Sequence, residues 1–433
     1  MRRQRVAPFA LAIALAVGDA AATLAYDYPV TEPLLATVIG TRGEDQPTLP
    51  SRVPSRSERM DRVGERQIPR VFWDQDRIRY SVAAQRDPAP LVFLIAGTGA
   101  RYSSDKMTFL EALFYGAGFH VVALSSTTHP DFVLAASRDH LPGYMPGDVD
   151  DLYLLMQRIR SELEQDEIEV TDFSLAGFSL GGTQAAFLAQ RDAAERRFGF
   201  RRVLLINPSV SLYESSEILD GMFEKALPGG PTSTDRLLAD LFTRLTPYFH
   251  DRRRGRVDDE FLYHIADADQ PTAEELRAIV AAVFRLALAN MVFTADVMNG
   301  GGHIVEKGAE LGVGSSLTQY MKRSTRWTFR RYIDEMLLPH WCARVPGLNR
   351  DALVRSASLE SIEPFLARAG HIGVMTNADD FILTPANLEF LRRTFGDRAH
   401  VYPRGGHGGN LQYKDNAADI LQFFGARDGK APS

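Results

Sequence analysis

The chain has 433 residues, of which 45% are hydrophobic and 24% are charged. This composition is typical of a globular protein and excludes the disordered, collagen-like and disulfide-stapled classes. Lys and Arg number 49 against 55 Asp and Glu, which gives a formal net charge of -6. Because the chain lacks the basic excess that binding to a phosphate backbone requires, we expect no nucleic-acid partner.

The first 25 residues have the layout of a secretory signal. Basic residues at positions 2, 3 and 5 precede an apolar run over residues 6–17, and small residues follow. This order is typical of a cleaved signal, and the run is shorter than the ~20 residues of a membrane-spanning helix. We therefore expect a signal peptide over residues 1–25, cleaved near Ala22 or Ala25. The mature chain is then exported, periplasmic or secreted, without a stable membrane span. An apolar N-terminus that carries no targeting signal is the alternative.

The single cysteine, Cys342, lies far from the apolar N-terminal run. Its position excludes attachment of a lipid at a cysteine directly after the signal. A lone cysteine in an exported protein also has no partner for an internal disulfide. We expect Cys342 to be buried as a small hydrophobic residue.

The segment that follows the signal, residues 26–70, is predicted to be a linker or a segment that wraps the surface. Its second half, residues 41–70, is rich in Arg, Pro, Ser and Glu and has no sustained apolar period. The folded core is predicted to begin near Val71. Ile78, Tyr80 and Val82 alternate with polar residues, which favours a half-buried strand in an opening antiparallel hairpin.

Five short apolar runs predict the strands of a central sheet. They lie at residues 91–95, 120–124, 173–176, 202–206 and 372–375. Strands that are apolar on both faces belong in a sheet that helices cover on each side. Helical patterns at residues 105–115 and 148–163 lie between them, and this alternation predicts a mostly parallel sheet.

The alternation of strands and helices breaks over residues 209–369, which we interpret as a helical cap. Thr272 and Glu275 form a capping box before an apolar helix at residues 276–297, and a second helix at residues 327–338 is predicted to end at Pro339. Arg285 lies in the middle of the apolar helix and favours packing inside the protein over a membrane span. The basic run at residues 252–256 is typical of a solvated turn, with a weak contact to an anionic surface as the alternative.

The strongest chemical motif is G-x-S-x-G, which runs Gly177-Phe178-Ser179-Leu180-Gly181. A predicted strand leads into it and a predicted helix follows. A serine at such a turn is held in a strained conformation with its hydroxyl above the sheet. A glycine-rich turn in a doubly wound sheet, without catalytic function, is the alternative.

In this context the chain resembles the α/β-hydrolase superfamily from about Val71 to Phe424, with the cap as the variable part. The resemblance implies a core of residues 71–208 and 370–426, and a triad in the order nucleophile, acid, histidine. Ser179 matches the nucleophile, and Asp380, after the strand at residues 372–375, matches the acid. The neighbouring Asp379 is the alternative acid. A second acid position of the family, after residue 206, holds Asn207 and offers no carboxylate.

The resemblance also implies that His407 is the general base. This residue lies in a glycine-rich loop, residues 404–409, between a strand-like stretch at 400–402 and a C-terminal helix at 416–424. His303, in a glycine-rich stretch of the cap, competes with it, but it precedes the acid in the chain and so has the wrong order. The remaining histidines have no repeated metal-ligand spacing. We expect neither a metal nor an organic cofactor.

An oxyanion hole in this family uses two backbone N–H groups. One is implied at Leu180, directly after the nucleophile. The other is implied at Thr98, with Gly99 as second choice, because residues 96–99 stand where the family often has His-Gly-x-Gly. A plain turn between strand and helix is the alternative for residues 96–99. A P-loop is excluded because no G-K-[ST] follows.

These residues together predict a serine hydrolase that forms an acyl-enzyme, with carboxylic esters as the favoured substrates. Peptidase, amidase and thioesterase activities use the same triad, and a non-catalytic envelope binding protein on this scaffold is a further alternative. The apolar helix at residues 276–297 either lines an acyl pocket or forms the core of the cap. The expected partner is therefore a small-molecule or lipid-like acyl compound.

Overall fold

The computed structural model describes residues 26–64, 66–227, 234 and 271–426. The predicted signal peptide, residues 1–25, and the basic run at residues 252–256 lie outside these residues.

In the described part of the chain, eight strands form one sheet. They are β1 (Arg56–Asp61), β2 (Arg77–Ala83), β3 (Ala89–Ile95), β4 (His120–Leu124), β5 (Val170–Phe178), β6 (Val203–Ile206), β7 (Ile372–Asn377) and β8 (Ala399–Tyr402). Their order across the sheet is β1-β2-β4-β3-β5-β6-β7-β8. β2 pairs antiparallel with both neighbours, and the strands from β4 to β8 pair in parallel. The prediction of a mostly parallel sheet is confirmed.

Helices cover both faces of the sheet, as the continuous apolar runs predict. In β3, Leu91, Phe93 and Ile95 belong to the core on one face, whereas Val92 and Leu94 belong to the core on the other. This alternation follows from the two-residue period of a strand. Because both sets are fully buried, each face needs its own layer of helices.

Fourteen helices are found in the described residues. They are α1 (Pro33–Ile39), α2 (Asp105–Gly116), α3 (Pro130–Ala135), α4 (Met145–Gln165), α5 (Leu180–Glu195), α6 (Leu212–Ala226), α7 (Ala273–Asn299), α8 (Thr318–Ser324), α9 (Phe329–Tyr332), α10 (Leu338–Cys342), α11 (Arg350–Ser356), α12 (Glu363–Arg368), α13 (Pro385–Phe395) and α14 (Lys414–Phe423). Short 3₁₀ turns lie at Gly43–Asp45, Arg70–Phe72, Leu359–Ile362 and Gly396–Arg398. α2 and α14 pack on one face of the sheet, and α4, α5 and α13 pack on the other.

Helices α6 to α12 lie between β6 and β7, and we call them the cap helices. The longest, α7, begins at the predicted capping box of Thr272 and Glu275. Among the described helices it alone is long and apolar enough to cross a membrane, but 67% of its most apolar window is buried inside the protein. It is thus the packed centre of the cap.

Arg285 is buried in the middle of α7, and its contacts explain how a charge is tolerated there. Its guanidinium donates to a carboxylate oxygen of Asp220 on α6 at 3.1 Å and to the Trp327 carbonyl, and it lies 4.3 Å from the ring centroid of Phe223. Burial lowers the pKa of Arg285 and raises that of Asp220, while their mutual attraction opposes both changes. The pair fixes α6 against α7.

One prediction about local structure is wrong. Pro339 does not end a helix: a π turn at Ile333–Leu337 separates α9 from α10, and Pro339 lies in the first turn of α10, where no N–H is required. Residues 56–61, within the segment predicted to be a linker or to wrap the surface, form the edge strand β1. Only Met60 of this strand is buried, so its sequence has no apolar alternation to reveal it.

Candidate active site

Ser179 lies at the turn between β5 and α5, with φ 55° and ψ -121°. Such a conformation is rare for a residue with a side chain and costs about 1–3 kcal/mol. It persists because neighbouring backbone fixes it: the Ser179 N–H donates to the carbonyl of Ile206 at 2.8 Å. The turn also needs Gly181, since a Cβ there would lie 2.2 Å from the carbonyl oxygen of Ile95. The motif therefore forms the sharp turn that its sequence predicts.

Ser179, His407 and Asp380 are in contact with one another. The Ser179 Oγ lies 2.9 Å from His407 Nε2, and His407 Nδ1 lies 3.0 Å and 3.1 Å from the two carboxylate oxygens of Asp380. All three side chains are buried. The contacts fit an imidazole whose Nδ1–H donates to the carboxylate and whose Nε2 accepts from the serine hydroxyl. A hydrogen-bonded chain of this kind can activate a serine for nucleophilic attack.

The two neighbouring aspartates contact different parts of the histidine loop. Asp380 contacts the imidazole, whereas Asp379 accepts hydrogen bonds from the backbone N–H groups of Gly405 and Gly406, at 3.2 Å and 2.9 Å. Burial raises the pKa of the Asp379 carboxyl, and those two N–H groups act in the opposite direction. Asp379 therefore holds the loop on which His407 stands.

Asn207 is a site residue that the sequence analysis missed. It follows β6, where it was noted only as lacking a carboxylate. Its side-chain amide donates to Asp380 Oδ2 at 2.9 Å, and the Ile382 N–H donates to Oδ1 at 3.2 Å. Asp380, whose side chain has no exposed surface, thus has a partner on each oxygen besides His407. The position of Asn207 at the carboxyl end of a central strand was the available signal.

Helix α1, in the predicted linker or wrapping segment, packs against the histidine loop. The His407 N–H donates to Thr37 Oγ1 at 2.8 Å, and the Thr37 hydroxyl donates to the Pro33 carbonyl at 2.8 Å. Gly406 makes the approach possible, because a Cβ there would lie 2.0 Å from the Pro33 oxygen. α1 is consequently part of the support of His407, and no sequence pattern indicated this.

Two backbone N–H groups beside Ser179 are available to a ligand. Neither the Leu180 N–H nor the Thr98 N–H donates to another residue in the described part of the chain. The alternative donor, Gly99, differs, because its N–H donates to Thr128 Oγ1 at 2.8 Å. Thr98 and Leu180 both line the cavity that contains Ser179.

Strand order and the position of these residues identify the fold. The nucleophile position follows β5, the acid position follows β7 and the histidine follows β8, at the carboxyl edge of a sheet whose second strand is antiparallel. The chain is an α/β-hydrolase by fold.

Solved structures similar to this chain include a thermophilic carboxylesterase cloned from a metagenomic library, with 15% identity and a TM-score of 0.40, covering 92% of this chain and 94% of that one. A thioesterase domain from the curacin biosynthetic pathway has 14% identity and a TM-score of 0.37, covering 85% and 98%. A bacterial membrane phospholipase A described as a virulence factor has 15% identity and a TM-score of 0.41, covering 86% and 87%. Neither a protein-family model nor a curated protein sequence matches the chain. Similarity at these levels concerns the fold and carries no argument about activity or substrate.

An apolar cavity extends from Ser179 into the cap and has about 660 Å³ of space, its mouth included. Among the described residues, no Asp, Glu, Lys or Arg lines it. Its apolar walls come mainly from α6, α7, α9 and the π turn, with Leu212, Leu219, Phe284, Met291, Phe329, Ile333, Leu337 and Ile382. Part of the predicted apolar helix thus lines the cavity, and part belongs to the core of the cap.

Four hydroxyl groups in the cavity wall already donate within the protein. Tyr213 donates to the Gly143 carbonyl at 3.2 Å and Tyr332 to the Pro142 carbonyl at 2.7 Å. Ser215 donates to the Ile382 carbonyl at 2.9 Å and Ser216 to the Tyr213 carbonyl at 2.8 Å. The wall therefore presents an apolar surface despite these polar side chains.

The other candidate residues lie away from the Ser179 contact. The ring of His303 packs on Trp327 in the cap, and the backbone N–H of His303 donates to Asp296 Oδ1 at 2.9 Å. In the described ranges no three His, Cys, Asp or Glu side chains are grouped so as to hold a metal. The prediction of a buried Cys342 is wrong: it is exposed, and its thiol contacts the Leu348 carbonyl at 3.1 Å. It lies in the short helix α10, whose described residues include no buried side chain.

Proposed function

We propose that this chain is a serine hydrolase that cleaves carboxylic esters through an acyl-enzyme. The observation that carries the proposal is the pair of contacts at His407, 2.9 Å to Ser179 Oγ and 3.0 Å to Asp380 Oδ2. A strained serine beside two N–H groups without a protein acceptor supports the same chemistry, because those groups would stabilise a negatively charged oxygen.

In the proposed reaction, Ser179 Oγ forms a bond to the carbonyl carbon while His407 Nε2 takes the serine proton. Asp380 stabilises the imidazolium, and the Leu180 and Thr98 N–H groups donate to the oxyanion. The bond to the leaving oxygen then breaks, and that oxygen receives the proton from His407. A water molecule attacks the acyl-enzyme, gives one proton to His407, and releases the acid as the proton returns to Ser179.

An apolar acyl group is proposed because of the wall of the apolar cavity. A charged acyl group would enter a space in which no described residue supplies a counter-charge, and a polar one would find four of the wall hydroxyls already donating to carbonyl groups. Burial of an unpaired polar group is unfavourable, whereas burial of hydrocarbon contributes about 0.8 kcal/mol per CH₂. Aminoacyl groups with a free ammonium are consequently disfavoured.

A fluorophosphonate probe tests the nucleophile. The wild-type protein should be labelled, Ser179→Ala should not, and Ser161→Ala, which removes an exposed hydroxyl on α4, is the matched control. Labelling that persists in Ser179→Ala would refute the assignment. Absence of labelling in the wild-type protein, together with no hydrolysis of p-nitrophenyl acetate, would favour a binding protein on this scaffold.

A panel of p-nitrophenyl esters of increasing acyl length, run beside aminoacyl anilides, tests the substrate class. We expect activity on the esters to rise from acetate toward longer chains as the apolar cavity fills. Faster hydrolysis of the anilides would overturn the esterase proposal and favour a peptidase or amidase.

We also propose that the chain is exported after cleavage of residues 1–25, on the basis of the basic, apolar and small residues at its N-terminus. N-terminal sequencing of the protein from the extracytoplasmic fraction should begin at Thr23 or Tyr26. Recovery of an intact Met1 terminus from the cytoplasm would contradict the proposal.

A further inference from the structure

A second cavity meets the apolar cavity at the reacting groups. Thr98, Ser179, Phe284 and His407 line both cavities. The remaining walls differ: the second cavity, with about 930 Å³ of space including its mouth, lies between α1, the start of α2 and the loop after His407. A substrate that reacts at Ser179 can therefore extend in two directions.

The second cavity is lined by charged and amide side chains that the described lining of the first lacks, and we call it the polar cavity. Lys106, Asp105, Ser104 and Gln412 line it together with the apolar residues Val38, Ile39, Met107 and Phe178. Lys106 Nζ donates to the Gly408 carbonyl at 2.7 Å. In the described structure, the Ser104 hydroxyl and the Gln412 amide donate to and accept from no other residue. These two groups have hydrogen-bonding capacity that a ligand can use.

We propose that the leaving group binds in the polar cavity and is an alcohol with further hydroxyl groups, so that the substrate is a single-chain acyl ester of a polyol. This inference rests on the proposed esterase function. A hydroxyl both donates and accepts, which matches a set that contains a cation, an anion, a hydroxyl and an amide. A hydrocarbon leaving group would desolvate these groups without replacing their bonds to water, and an anionic one would meet Asp105.

The two cavities therefore assign the two halves of the ester. The acyl chain occupies the apolar cavity, and the alcohol oxygen lies toward the polar cavity, within reach of the proton on His407. When the bond between the carbonyl carbon and this oxygen breaks, the polyol takes the proton from His407 and leaves through the polar cavity.

The test compares two esters that differ only in the leaving group, 1-hexanoylglycerol and n-propyl hexanoate, each below its critical micelle concentration. Both release a three-carbon alcohol, and only the first carries two more hydroxyl groups. We expect kcat/KM to favour the glyceryl ester by about tenfold, since each new hydrogen bond contributes a few-fold to tenfold. Equal rates, or faster hydrolysis of the propyl ester, would overturn the polyol proposal.

Variants on each side of Ser179 then test which cavity binds which half. Gln412→Met keeps the side-chain length and removes the amide, and should lower the glyceryl-to-propyl ratio by about threefold. Ser104→Ala is a second variant with the same expected direction, and Gln422→Met, on the exposed side of α14, is the matched control. Both esters are measured on the same preparation of each variant, so a change in the folded fraction lowers both rates equally and leaves the glyceryl-to-propyl ratio unchanged.

Ser216→Leu fills part of the apolar cavity and should shift the preferred acyl group to shorter chains without changing the ratio. The opposite pattern, in which Ser216→Leu changes the leaving-group ratio and Gln412→Met changes the chain-length preference, would overturn the assignment of the cavities. Hydrolysis of p-nitrophenyl hexanoate distinguishes failure of the polyol proposal from failure of the esterase proposal. If this hydrolysis persists and depends on Ser179, the esterase function stands even when the polyol preference fails. If no ester is hydrolysed, both proposals fail.

Discussion

The hydrogen bond from the His407 N–H to Thr37 links the N-terminal helix to the site, and Thr37→Val isolates its contribution. Val has the shape of Thr, so the packing of α1 is retained while the acceptor is lost. His407 is 4% exposed, so water does not simply replace the hydroxyl. An unsatisfied buried N–H costs about 1–3 kcal/mol.

The loop can recover a partner for this N–H only by moving, which draws the imidazole away from Ser179. The fraction of molecules with the ring in contact then falls by the Boltzmann factor of that cost, which is between about 5-fold and about 150-fold. We expect this loss in kcat/KM with a smaller change in KM, because valine keeps the volume of Thr37, which lines the polar cavity. Thr37→Ser keeps the hydroxyl and should restore most of the activity.

The measurement is kcat and KM on p-nitrophenyl hexanoate with thermal unfolding of the same samples. Thr294→Val is the matched control, since Thr294 is buried on α7 and, like Thr37, donates to the carbonyl four residues earlier, but it does not contact His407. It should keep kcat within about twofold. If Thr37→Val keeps kcat and only lowers the melting temperature, α1 stabilises the fold without positioning the histidine.

Four further substitutions test other parts of the structure. Asp380→Asn should lower kcat/KM by roughly 10³-fold or more, because the imidazole loses the carboxylate that orients and stabilises it, whereas Asp379→Asn should cost about tenfold or less, since it contacts only the loop backbone. Arg285→Met should lower the free energy of unfolding by about 3–5 kcal/mol in urea titrations, because the Asp220 carboxylate stays buried without its cation. Asp148→Asn should stabilise the fold at pH 7 but not at pH 4. Burial raises the pKa of Asp148 well above its ordinary value of 3.8. Between pH 3.8 and that raised pKa, the folded state holds a proton that the unfolded state has lost, so the wild-type protein loses stability as the pH rises through this range.

Each of these expectations has an outcome that contradicts it. A larger loss in Asp379→Asn than in Asp380→Asn would exchange the roles of the two carboxylates. Glu217→Gln, which breaks the exposed pair with Arg330, is the control for Arg285→Met and should change stability by less than about 1 kcal/mol; equal losses would mean that burial of the pair is unimportant. A stability difference for Asp148→Asn that does not vary with pH would show that its carboxyl titrates as it does in the unfolded chain.

The parts of the fold that could be predicted from sequence are those with a strong local pattern. β3 and β4 are buried on both faces, so their apolar runs are continuous, and α7 begins with a capping box that uses side chains three residues apart. β1 has one buried residue and gave no such pattern. The predicted helix end at Pro339 is wrong because a π turn, which has no local sequence signature, precedes Pro339 and a new helix begins there.

The candidate site likewise contains residues that a sequence pattern predicts and residues that no pattern indicates. Ser179 follows from a strand, a tight turn and a helix that are contiguous in the chain, and the positions of Asp380 and His407 came from a resemblance to a family with a fixed order. Thr37 lies 370 residues from His407 in the chain. The sequence around a threonine in a seven-residue helix does not indicate such a distant contact. Cys342 was assigned to the core from its residue type alone, and its short helix lies on the surface.

Helix α7 of the cap contacts His407 and two of the elements that surround the proposed reacting groups. Phe284 of α7 lies with its ring centroid 6.5 Å from that of His407, Ala287 packs against Gly99 in the loop of Thr98, and Leu276 packs against Leu34 of α1. A chimera that imports a foreign cap to change substrate preference therefore also alters the alignment of the hydrolytic groups. Grafts that retain Ala273–Asn299 and exchange only the other cap helices keep these three contacts.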